Sequence, residues 1–196
     1  MRRYRFCPLC GRSLERRQAA GRVRPACSCG FVDWANPVPA AGVAILRENR
    51  CLWVRRAEEP KLGGWSLPSG FKEWEEDIRE CARREAREET GLHVELGGVL
   101  GVYSAFDDPR HNAVLAVFMA RVAGGVERAG DDASELAWFA LDGPPEPIAW
   151  DSHRRALADL RALVATEAAR RFIAGLEPEP PGDAGPFNVD APSRSD

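Results

Sequence analysis

Short runs of apolar residues, bounded by polar turns, recur along the middle of the chain and predict β-strands. The predicted strands cover residues 38–47, 51–56, 99–106, 113–122 and 136–140, with a short extended piece at 65–68. Two longer segments have the spacing of apolar residues that is typical of helices. Strands around one interior helix, with a second helix after them, indicate a mixed α/β (α+β) layer architecture.

Both helices have recognisable boundaries. Asp77 is a favourable N-cap, and Glu80 stands three residues later in the register of a capping box. The helix should end at Gly91, because a glycine commonly follows the last helical residue. The second helix is predicted from a cap at Ser152 to about Arg171.

The charge of the chain is divided unevenly. Its 196 residues include 27 basic and 30 acidic side chains, with a net charge of −3. The first 30 residues carry +7, so the remainder carries −10. Because all but two of the basic residues in the whole chain are arginine, the basic start is only a weak sign of nucleic-acid binding.

Membrane and secreted proteins are not expected from this apolar pattern. No apolar run approaches the roughly 18 residues that span a membrane. The basic first residues are not followed by the apolar region of a secretory signal. We therefore expect a cytoplasmic protein, and its content of 44% hydrophobic and 29% charged residues is that of an ordinary globular chain.

Three glutamates in the predicted internal helix are the strongest chemical signal. Glu85, Glu88 and Glu89 follow the spacing i, i+3 and i+4, which places them on one helix face. Ile78 and Ala82 fall on the same half of the helix, so this face should turn inward. Inward carboxylates are costly without a positive partner, and a hard cation such as Mg²⁺ or Mn²⁺ takes oxygen ligands of this kind. The alternative is a solvated face held by ion pairs with neighbouring arginines.

The segment around this helix resembles the Nudix box, G-x5-E-x7-R-E-U-x-E-E-x-G-U, in which U is a bulky aliphatic residue. The matching positions are Gly70, Glu76, Arg84, Glu85, Glu88, Glu89, Gly91 and Leu92. Ala86 at the first U position is smaller than the pattern asks for, which we interpret as a variation in packing. The resemblance implies the Nudix fold, an α/β/α sandwich with a mixed sheet. It also implies hydrolysis of a nucleoside diphosphate linked to another group.

The same resemblance implies roles for the residues of the box. Mg²⁺ would be held by the three glutamates and by the main-chain carbonyl of Ser69. Many family members have glycine where this chain has Ser69. The difference is mild, because a main-chain carbonyl can bind a metal whichever side chain the residue carries. Arg84 would orient the carboxylates by ion pairing, and Glu76 would pair with Arg84 or reach a further metal. Divalent cations neutralise a pyrophosphate and lower the pKa of a bound water.

The general base varies in position within this family, and two acids past the box are candidates. Glu135 stands just before the strand predicted at 136–140, where relatives often have an acid. Asp132 stands three residues earlier. Glu135 could equally be an exposed loop acid without a role in proton transfer.

Four of the six cysteines lie near the start of the chain. Cys7 and Cys10 form a CxxC pair, and Cys27 and Cys29 form a CxC pair after 16 intervening residues. Without a secretory signal such pairs indicate metal ligands rather than disulfides, and four thiolates suit a structural, tetrahedral Zn²⁺. The second pair is one residue shorter than usual, which leaves open a weakened or metal-free site.

This segment resembles the N-terminal zinc ribbon of some Nudix hydrolases, among them NADH, FAD and ADP-ribose pyrophosphatases. The likeness rests on residues 6–11 and 24–32 and on Asn36-Pro37. We therefore expect a zinc ribbon over 1–34, a Nudix domain over 35–175, and a disordered Pro-, Gly- and acid-rich tail over 176–196. The ribbon has few aromatics on which bases could stack, so docking onto the Nudix domain or in a homodimer is favoured over nucleic-acid binding.

The substrate is only broadly indicated. NADH pyrophosphatases resemble each other in a Ser-Gln-Pro-Trp-Pro-Phe array past the box. Here residues 108–115 read DPRHNAVL, so the resemblance argues against an NADH specialist and favours ADP-ribose or FAD, the usual assignment of zinc-ribbon relatives that lack the array. Arg110 and His111 in that segment could contact a phosphate or a ribose, or simply end a hairpin. His153 is expected to be exposed at the start of the last helix. Four strand aromatics could stack an adenine or belong to the core: Trp53, Tyr103, Phe106 and Trp138.

The sequence thus predicts a Mg²⁺-dependent Nudix pyrophosphohydrolase acting on ADP-ribose or on FAD- or NAD(H)-like dinucleotides. Its products would be AMP and a phosphate monoester. Two alternatives remain: a Nudix-fold nucleotide-binding regulator without turnover, and a pyrophosphohydrolase of nucleic-acid 5′ ends. The intact box argues against the regulator, because a protein that only binds has no need of three inward carboxylates.

Overall fold

The computed structural model describes residues 4–130, 132–166 and 169–171. Within these ranges the chain forms nine β-strands and two α-helices. The tail predicted at 176–196 lies outside them. No helix in the described part of the chain has the length and apolar character needed to cross a membrane.

The strands and helices are distributed over a small hairpin and a larger sheet. In chain order they are β1 (Glu15–Ala19), β2 (Arg22–Ala26), β3 (Val38–Arg47), β4 (Arg50–Arg56), β5 (Trp65–Ser66), β6 (Ser69–Phe71), α1 (Ile78–Thr90), β7 (Leu92–Ala105), β8 (Ala113–Gly125), β9 (Ala133–Ala140) and α2 (Asp151–Leu163). β1 and β2 pair with each other as an antiparallel hairpin, and the other seven strands form one sheet.

The larger sheet is mixed. Its strand order is β5-β4-β3-β8-β7, with β6 pairing with β3 and β9 pairing with β4. The pair β3 and β8 is parallel, whereas the other pairs of the sheet are antiparallel. This arrangement brings the short β6 beside the centre of the sheet, next to the helix that follows it.

The central strand β3 is buried on both faces, which explains its continuous apolar sequence. On one face Val43 and Ile45 pack in a core with Ala82 of α1. On the other face Ala44 packs in a second core with Leu157 of α2. One helix therefore covers each face, and the α/β/α sandwich predicted from the sequence is confirmed.

The boundaries of α1 are those predicted. The Asp77 carboxylate accepts the N–H groups of Arg79 and Glu80 at 2.7 and 2.8 Å, and the Glu80 carboxylate accepts the Asp77 N–H at 2.7 Å. Gly91 has a φ of 73°, and a Cβ at this position would lie 2.3 Å from the carbonyl oxygen of Val126. Both features require a glycine at the end of the helix.

The start of α2 differs from the prediction. Its N-cap is Trp150 rather than Ser152, and Trp150 makes no capping hydrogen bond with its side chain. Asp107, 44 positions earlier, accepts the first N–H of the helix at 3.0 Å instead. The continuous helix ends at Leu163, short of the predicted Arg171. A cap supplied from so far away leaves no local signal in the sequence.

Candidate active site and cysteine cluster

An open acidic cavity lies at the C-terminal turns of α1. It is lined by the three glutamates of the box and by the loop between β8 and β9, in particular Glu85, Glu88, Glu89, Arg128, Gly130 and Asp132. Glu85 and Glu89 are only 8% and 9% exposed, whereas Glu88 is exposed. The predicted inward face therefore holds two of the three carboxylates, and the third faces the open side of the cavity.

Gly70 in β6 makes room for one of these carboxylates. A Cβ at this position would lie 2.2 Å from Oε1 of Glu85 and 2.3 Å from its carboxyl carbon. Any side chain at this position would therefore displace the Glu85 carboxylate. The glycine at the start of the box thus has a steric role, which is to admit Glu85 against the backbone of β6.

Arg84 is the cation that joins the acids. Its Nε and Nη2 donate to the two oxygens of Glu76 at 2.9 and 2.6 Å. Its Nη1 donates to Glu85 at 2.5 Å and to Glu88 at 3.0 Å, and its Nη2 also donates to the Phe71 carbonyl at 2.9 Å. The hydrogen bonds from Arg84 are the main reason that the pKa of Glu76 falls to about 2.

Burial sets Glu85 and Glu89 apart from surface carboxylates. It raises the pKa of Glu85, and it raises that of Glu89 well above the usual value, with further repulsion from Asp132. The Ser69 N–H donates to Glu89 at 3.4 Å, which offsets this only in part. Buried carboxylates that repel one another are stabilised by a hard divalent cation, so the donor set fits Mg²⁺ or Mn²⁺.

Ser69 connects the acidic cavity to α2. Its hydroxyl donates to the Leu67 carbonyl at 3.0 Å and lies 3.5 Å from Nε2 of His153, whose Nδ1 accepts the Leu67 N–H at 3.1 Å. His153 is only 2% exposed, so the expectation that it is exposed is wrong. Burial lowers the pKa of His153 to about 3, so the ring is neutral at physiological pH.

A second, more apolar cleft adjoins the acidic cavity at β6. It holds about 680 Å³ of space open to solvent, and its walls include Arg56, Ser69, Phe71, Arg110, His111 and Trp150. Ser69 and Gly70 line this cleft while they also touch Glu89 and Glu85 on the other side. The structure therefore places a chamber with basic and aromatic walls directly beside the carboxylates.

Both residues that the sequence offers for substrate contact, Arg110 and His111, line this cleft. His111 stands edge-on to Phe71, with 5.3 Å between the ring centroids. The Arg110 guanidinium donates to both oxygens of Asp108, at 3.0 and 3.2 Å. Arg56, which no motif in the sequence singles out, also lines the cleft, and its Nε donates to the Pro60 carbonyl at 2.9 Å. Its position on a cleft wall becomes visible only once the sheet register is known.

The aromatic residue with access to the cleft is one that the sequence did not single out. Phe71 is 42% exposed and belongs to the lining. Trp53 and Tyr103 are core residues at 1% and 5% exposure. Trp138 donates to Glu127 at 2.9 Å, and Phe106, although 72% exposed, lies outside the described lining of the cleft.

The two candidate bases are in different surroundings. Asp132 lines the acidic cavity, because its loop is fastened to α1 by the Gly130 N–H, which donates to the Glu89 carbonyl at 3.0 Å. The fit there is tight, since a Cβ at Gly130 would lie 2.2 Å from the carbonyl oxygen of Glu88. Glu135 lies on β9, where it forms an ion pair with Arg55 of β4 at 3.1 Å.

The sulfurs of four cysteines converge beside the β1–β2 hairpin. Cys7 and Cys29 have their Sγ atoms 3.5 Å apart, as do Cys10 and Cys27, and all four atoms lie within 4.8 Å of one another. Zn–S bonds of about 2.3 Å would place the sulfurs of a tetrahedral site roughly 3.8 Å apart. The cluster therefore fits a zinc ion, in spite of the shortened CxC pair.

Glycine permits the turn at the short pair. Gly30 has a φ of 99° and donates its N–H to the Cys27 carbonyl at 3.1 Å. At the other pair, hydrogen bonds from Arg12, first from its backbone and then from its side chain, lower the pKa of the Cys10 thiol to about 6. A thiol that loses its proton readily is suited to binding a metal as thiolate.

Comparison with known proteins decides the family. Residues 36–160 match the NUDIX domain. The chain belongs to the Nudix family. It is 39% identical to the ADP-ribose pyrophosphatase of Methanocaldococcus jannaschii over 127 residues, which are 64% of this chain and 74% of that protein. With the NAD-capped RNA hydrolase NudC of Pseudomonas aeruginosa the identity is 30% over 176 residues, 89% of this chain and 61% of NudC.

Solved Nudix structures agree with this assignment. A NUDIX hydrolase from Nitrosomonas europaea superimposes with a TM-score of 0.69 at 26% sequence identity, over 85% of this chain and 93% of that one. With hydrolases among its sequence relatives and its structural neighbours, the chain is a Nudix pyrophosphohydrolase, as the sequence predicted.

Proposed function

We propose that this Nudix protein uses Mg²⁺ to hydrolyse the pyrophosphate bond of ADP-ribose, or of an FAD- or NAD(H)-like dinucleotide, into AMP and a phosphate monoester. The observation that carries the proposal is the shared wall of the two cavities, formed by Ser69 and Gly70. A pyrophosphate placed at the acids leaves its nucleoside in the adjoining cleft. The likeness to an ADP-ribose pyrophosphatase supports this choice of substrate.

The metal-binding residues would be Glu85, Glu88, Glu89 and the main-chain carbonyl of Ser69. A divalent cation held there neutralises the pyrophosphate and makes a bound water easier to deprotonate. Arg84 keeps two of these carboxylates in place through its bonds to Glu85 and Glu88. Arg84 is itself held by Glu76, so Glu76 acts on the site through the guanidinium.

We assign the proton transfer to Asp132. The acid that takes a proton from the attacking water must lie within reach of the pyrophosphate, and Asp132 lines the cavity that holds the glutamates. Glu135 remains the second candidate, although its ion pair with Arg55 holds its carboxylate at β4. Substitution of each acid in turn separates the two candidates.

The cleft would take the nucleoside part of the substrate. Phe71 and His111 offer ring surfaces for a base, and Arg56 and Arg110 offer charge for a phosphate or hydrogen bonds for a ribose. Arg56 is held in place by the Pro60 carbonyl and lies over the ring of Trp150 at 5.1 Å. An arginine fixed in this way loses little conformational freedom on binding.

The cysteine cluster would hold a structural Zn²⁺, since four thiolates leave no open position for catalysis. We retain the division into a ribbon at 1–34 and a Nudix domain at 35–175, together with a homodimer and a cytoplasmic location, as proposals. Cysteines arranged as metal ligands rather than as disulfides support a reducing compartment.

Turnover of a substrate panel tests the proposal. The protein is incubated with Mg²⁺ and ADP-ribose, FAD, NADH, diadenosine polyphosphates, oxidised dNTPs or capped RNA, and AMP and phosphate are measured. We expect AMP from ADP-ribose or a dinucleotide, and a large loss of that product in Glu88→Gln. Glu75→Gln, an exposed glutamate of the preceding loop, is the matched control and should behave as wild type. No product from any substrate, with Glu88→Gln like wild type, would reject the proposal.

A nucleotide at the 5′ end of RNA is the second candidate substrate. Although the ribbon has few aromatics in total, the structure leaves the rings of Tyr4, Phe6 and Trp34 exposed, together with Arg16 and Arg22. Arginines and exposed rings are the groups that hold single-stranded nucleic acid. The likeness to NudC extends over 89% of the chain and points the same way. Turnover of capped RNA alone in the same panel would select this candidate.

A further inference from the structure

The hydroxyl of Ser69 stands at a position where many Nudix proteins have glycine, and it has a partner on α2. Because the hydroxyl donates to the Leu67 carbonyl, its lone pairs are free to accept from Nε2 of His153, 3.5 Å away. Nδ1 of His153 accepts the Leu67 N–H at 3.1 Å, so the ring proton belongs on Nε2. One buried imidazole thus contacts both residues that flank Pro68.

The sheet holds segment 67–69 on one side, through β3, and the imidazole of His153 holds it on the other. β5 ends at Ser66, so the Leu67 N–H lies beyond the strand and needs an acceptor, which His153 provides. Ser69 is paired with Gly42 of β3, where the approach is close: a Cβ on Gly42 would lie 3.1 Å from that of Ser69. Ser69 is therefore held between β3 and the ring of His153.

We propose that His153 is a positioning residue for the metal site: through Leu67 and the Ser69 hydroxyl it fixes the Ser69 backbone relative to Glu89. The connection is direct, since the Ser69 N–H donates to the Glu89 carboxylate at 3.4 Å and the Ser69 carbonyl belongs to the same short strand. The inference rests on the proposed function in one respect, namely that this carbonyl is a metal ligand.

Metal binding without substrate tests the inference. The dissociation constant of Mn²⁺ is measured on the full chain by the electron paramagnetic resonance signal of the free ion, for wild type, Ser69→Ala, His153→Leu and His153→Gln. Groups that orient metal ligands usually change affinity by about 10- to 100-fold, so we expect Ser69→Ala and His153→Leu each to weaken Mn²⁺ binding about tenfold. Gln offers an amide N–H near the position of Nε2 and should recover most of the affinity.

Non-additivity distinguishes a shared contact from general loosening. If His153 acts through the Ser69 hydroxyl, the double variant Ser69→Ala with His153→Leu should bind Mn²⁺ no more weakly than the weaker single variant. Ser152→Ala removes a neighbouring buried hydroxyl of α2 and should leave the dissociation constant within about twofold. Ser69→Ala removes a single oxygen, so it keeps the test valid even if His153→Leu fails to fold.

Two outcomes overturn the inference: an unchanged Mn²⁺ dissociation constant in Ser69→Ala, or fully multiplicative effects in the double variant. Failure of the proposed function looks different. If wild type hydrolyses none of the substrates in the panel but the Mn²⁺ constants shift as expected, the inference stands and the choice of substrate falls. If wild type hydrolyses ADP-ribose but the variants bind Mn²⁺ with unchanged dissociation constants, the proposed function stands and the inference about His153 falls.

Discussion

The guanidinium of Arg84 and the carboxylate of Glu76 form a two-point ion pair, through Nη2–Oε1 at 2.6 Å and Nε–Oε2 at 2.9 Å. This pair leaves Nη1 of Arg84 directed at the glutamates of α1, to which it donates two more hydrogen bonds. The loop that contains Glu76 and the helix that contains the acids are thereby held in one arrangement. A point charge in place of the planar guanidinium could not make all of these contacts.

Arg84→Lys should therefore reduce activity although it keeps the charge. The lysine ammonium loses the two-point pair and at least one contact to the glutamates, and charge-assisted hydrogen bonds are worth about 1.5–3 kcal/mol each. We expect kcat/KM for ADP-ribose to fall at least about tenfold. Arg87→Lys, at an exposed position of the same helix, is the control and should stay within about twofold. Equal activity of both variants would contradict this role of Arg84.

Gly70→Ala should abolish turnover while the fold persists. The new methyl group would overlap the Glu85 carboxylate, with 2.2 Å to Oε1, so the carboxylate must move out of the cavity. We expect kcat to fall at least about 100-fold with a Tm change of only a few degrees, from circular dichroism. Gly98→Ala is the matched control, because a Cβ there meets no atom within 4 Å. An active Gly70→Ala protein would show that Glu85 is dispensable or has room to shift.

Asp132→Asn and Glu135→Gln separate the two candidate bases. A general base typically contributes about 10²- to 10⁴-fold to a rate, so Asp132→Asn should lower kcat by at least about 100-fold with little change in KM. Glu135→Gln loses only an exposed ion pair with Arg55 and should stay within about threefold. If steady-state kinetics show the larger loss of kcat in Glu135→Gln, the general base is Glu135 and not Asp132.

Zinc content tests the cysteine cluster. The chain purified without chelator should contain about one zinc per molecule by atomic absorption, and Cys10→Ser should fall below about half. Ser28→Ala, between Cys27 and Cys29, changes the same turn without removing a thiol and should keep its zinc. A wild-type protein with less than about half a zinc per chain would reject the site.

His153 should make the stability of the fold depend on pH. Burial lowers the pKa of its ring from 6.5 to about 3, so between these values only the unfolded chain binds the proton. The stability is fully present above pH 6.5 and is lost as the pH falls, by about 1.4 kcal/mol per pH unit. From this group we expect a loss of about 2 kcal/mol between pH 6.5 and 5.

Urea unfolding in metal-free buffer measures this loss. His153→Gln has no proton to gain, so the gap in free energy of unfolding between wild type and variant should narrow as the pH falls. Glu85 and Glu89 also titrate, but they are common to both proteins and cancel in the difference. A gap that stays constant from pH 7.5 to 5 would show that the ring takes up its proton equally in the folded and the unfolded chain, so that folding does not lower its pKa.

Much of the acidic cavity could be predicted because its residues share one helix. Asp77 and Gly91 fix the ends of α1, and the period of the helix then turns Glu85 and Glu89 inward. The same local signals located the strands at the centre of the sheet, where apolar runs are continuous. β7 was harder, since it begins at Leu92 rather than at 99 and contains register shifts between Leu96 and Gly101.

The cleft was not predictable in the same way, because its walls come from distant segments. His153 has the sequence surroundings of an exposed helical residue, and only the packing of α2 against the segment after β5 buries it. The capping of α2 by Asp107 and the placement of Arg56 and Phe71 on one cleft depend equally on tertiary contacts. Sequence spacing conveys geometry within an element, whereas these contacts join elements far apart in the chain.

The Gly130 N–H fastens the loop between β8 and β9 to α1, so the acids of the cavity are joined through the backbone. Asp132 is tied to the helical turn that contains Glu88 and Glu89, so the acids form a single backbone unit. The opposing wall with Arg110 and His111 belongs to a different connection, between β7 and β8. Under the proposed function, loop exchange in that connection would retarget this scaffold to another nucleotide while the acids that carry out hydrolysis stay unchanged.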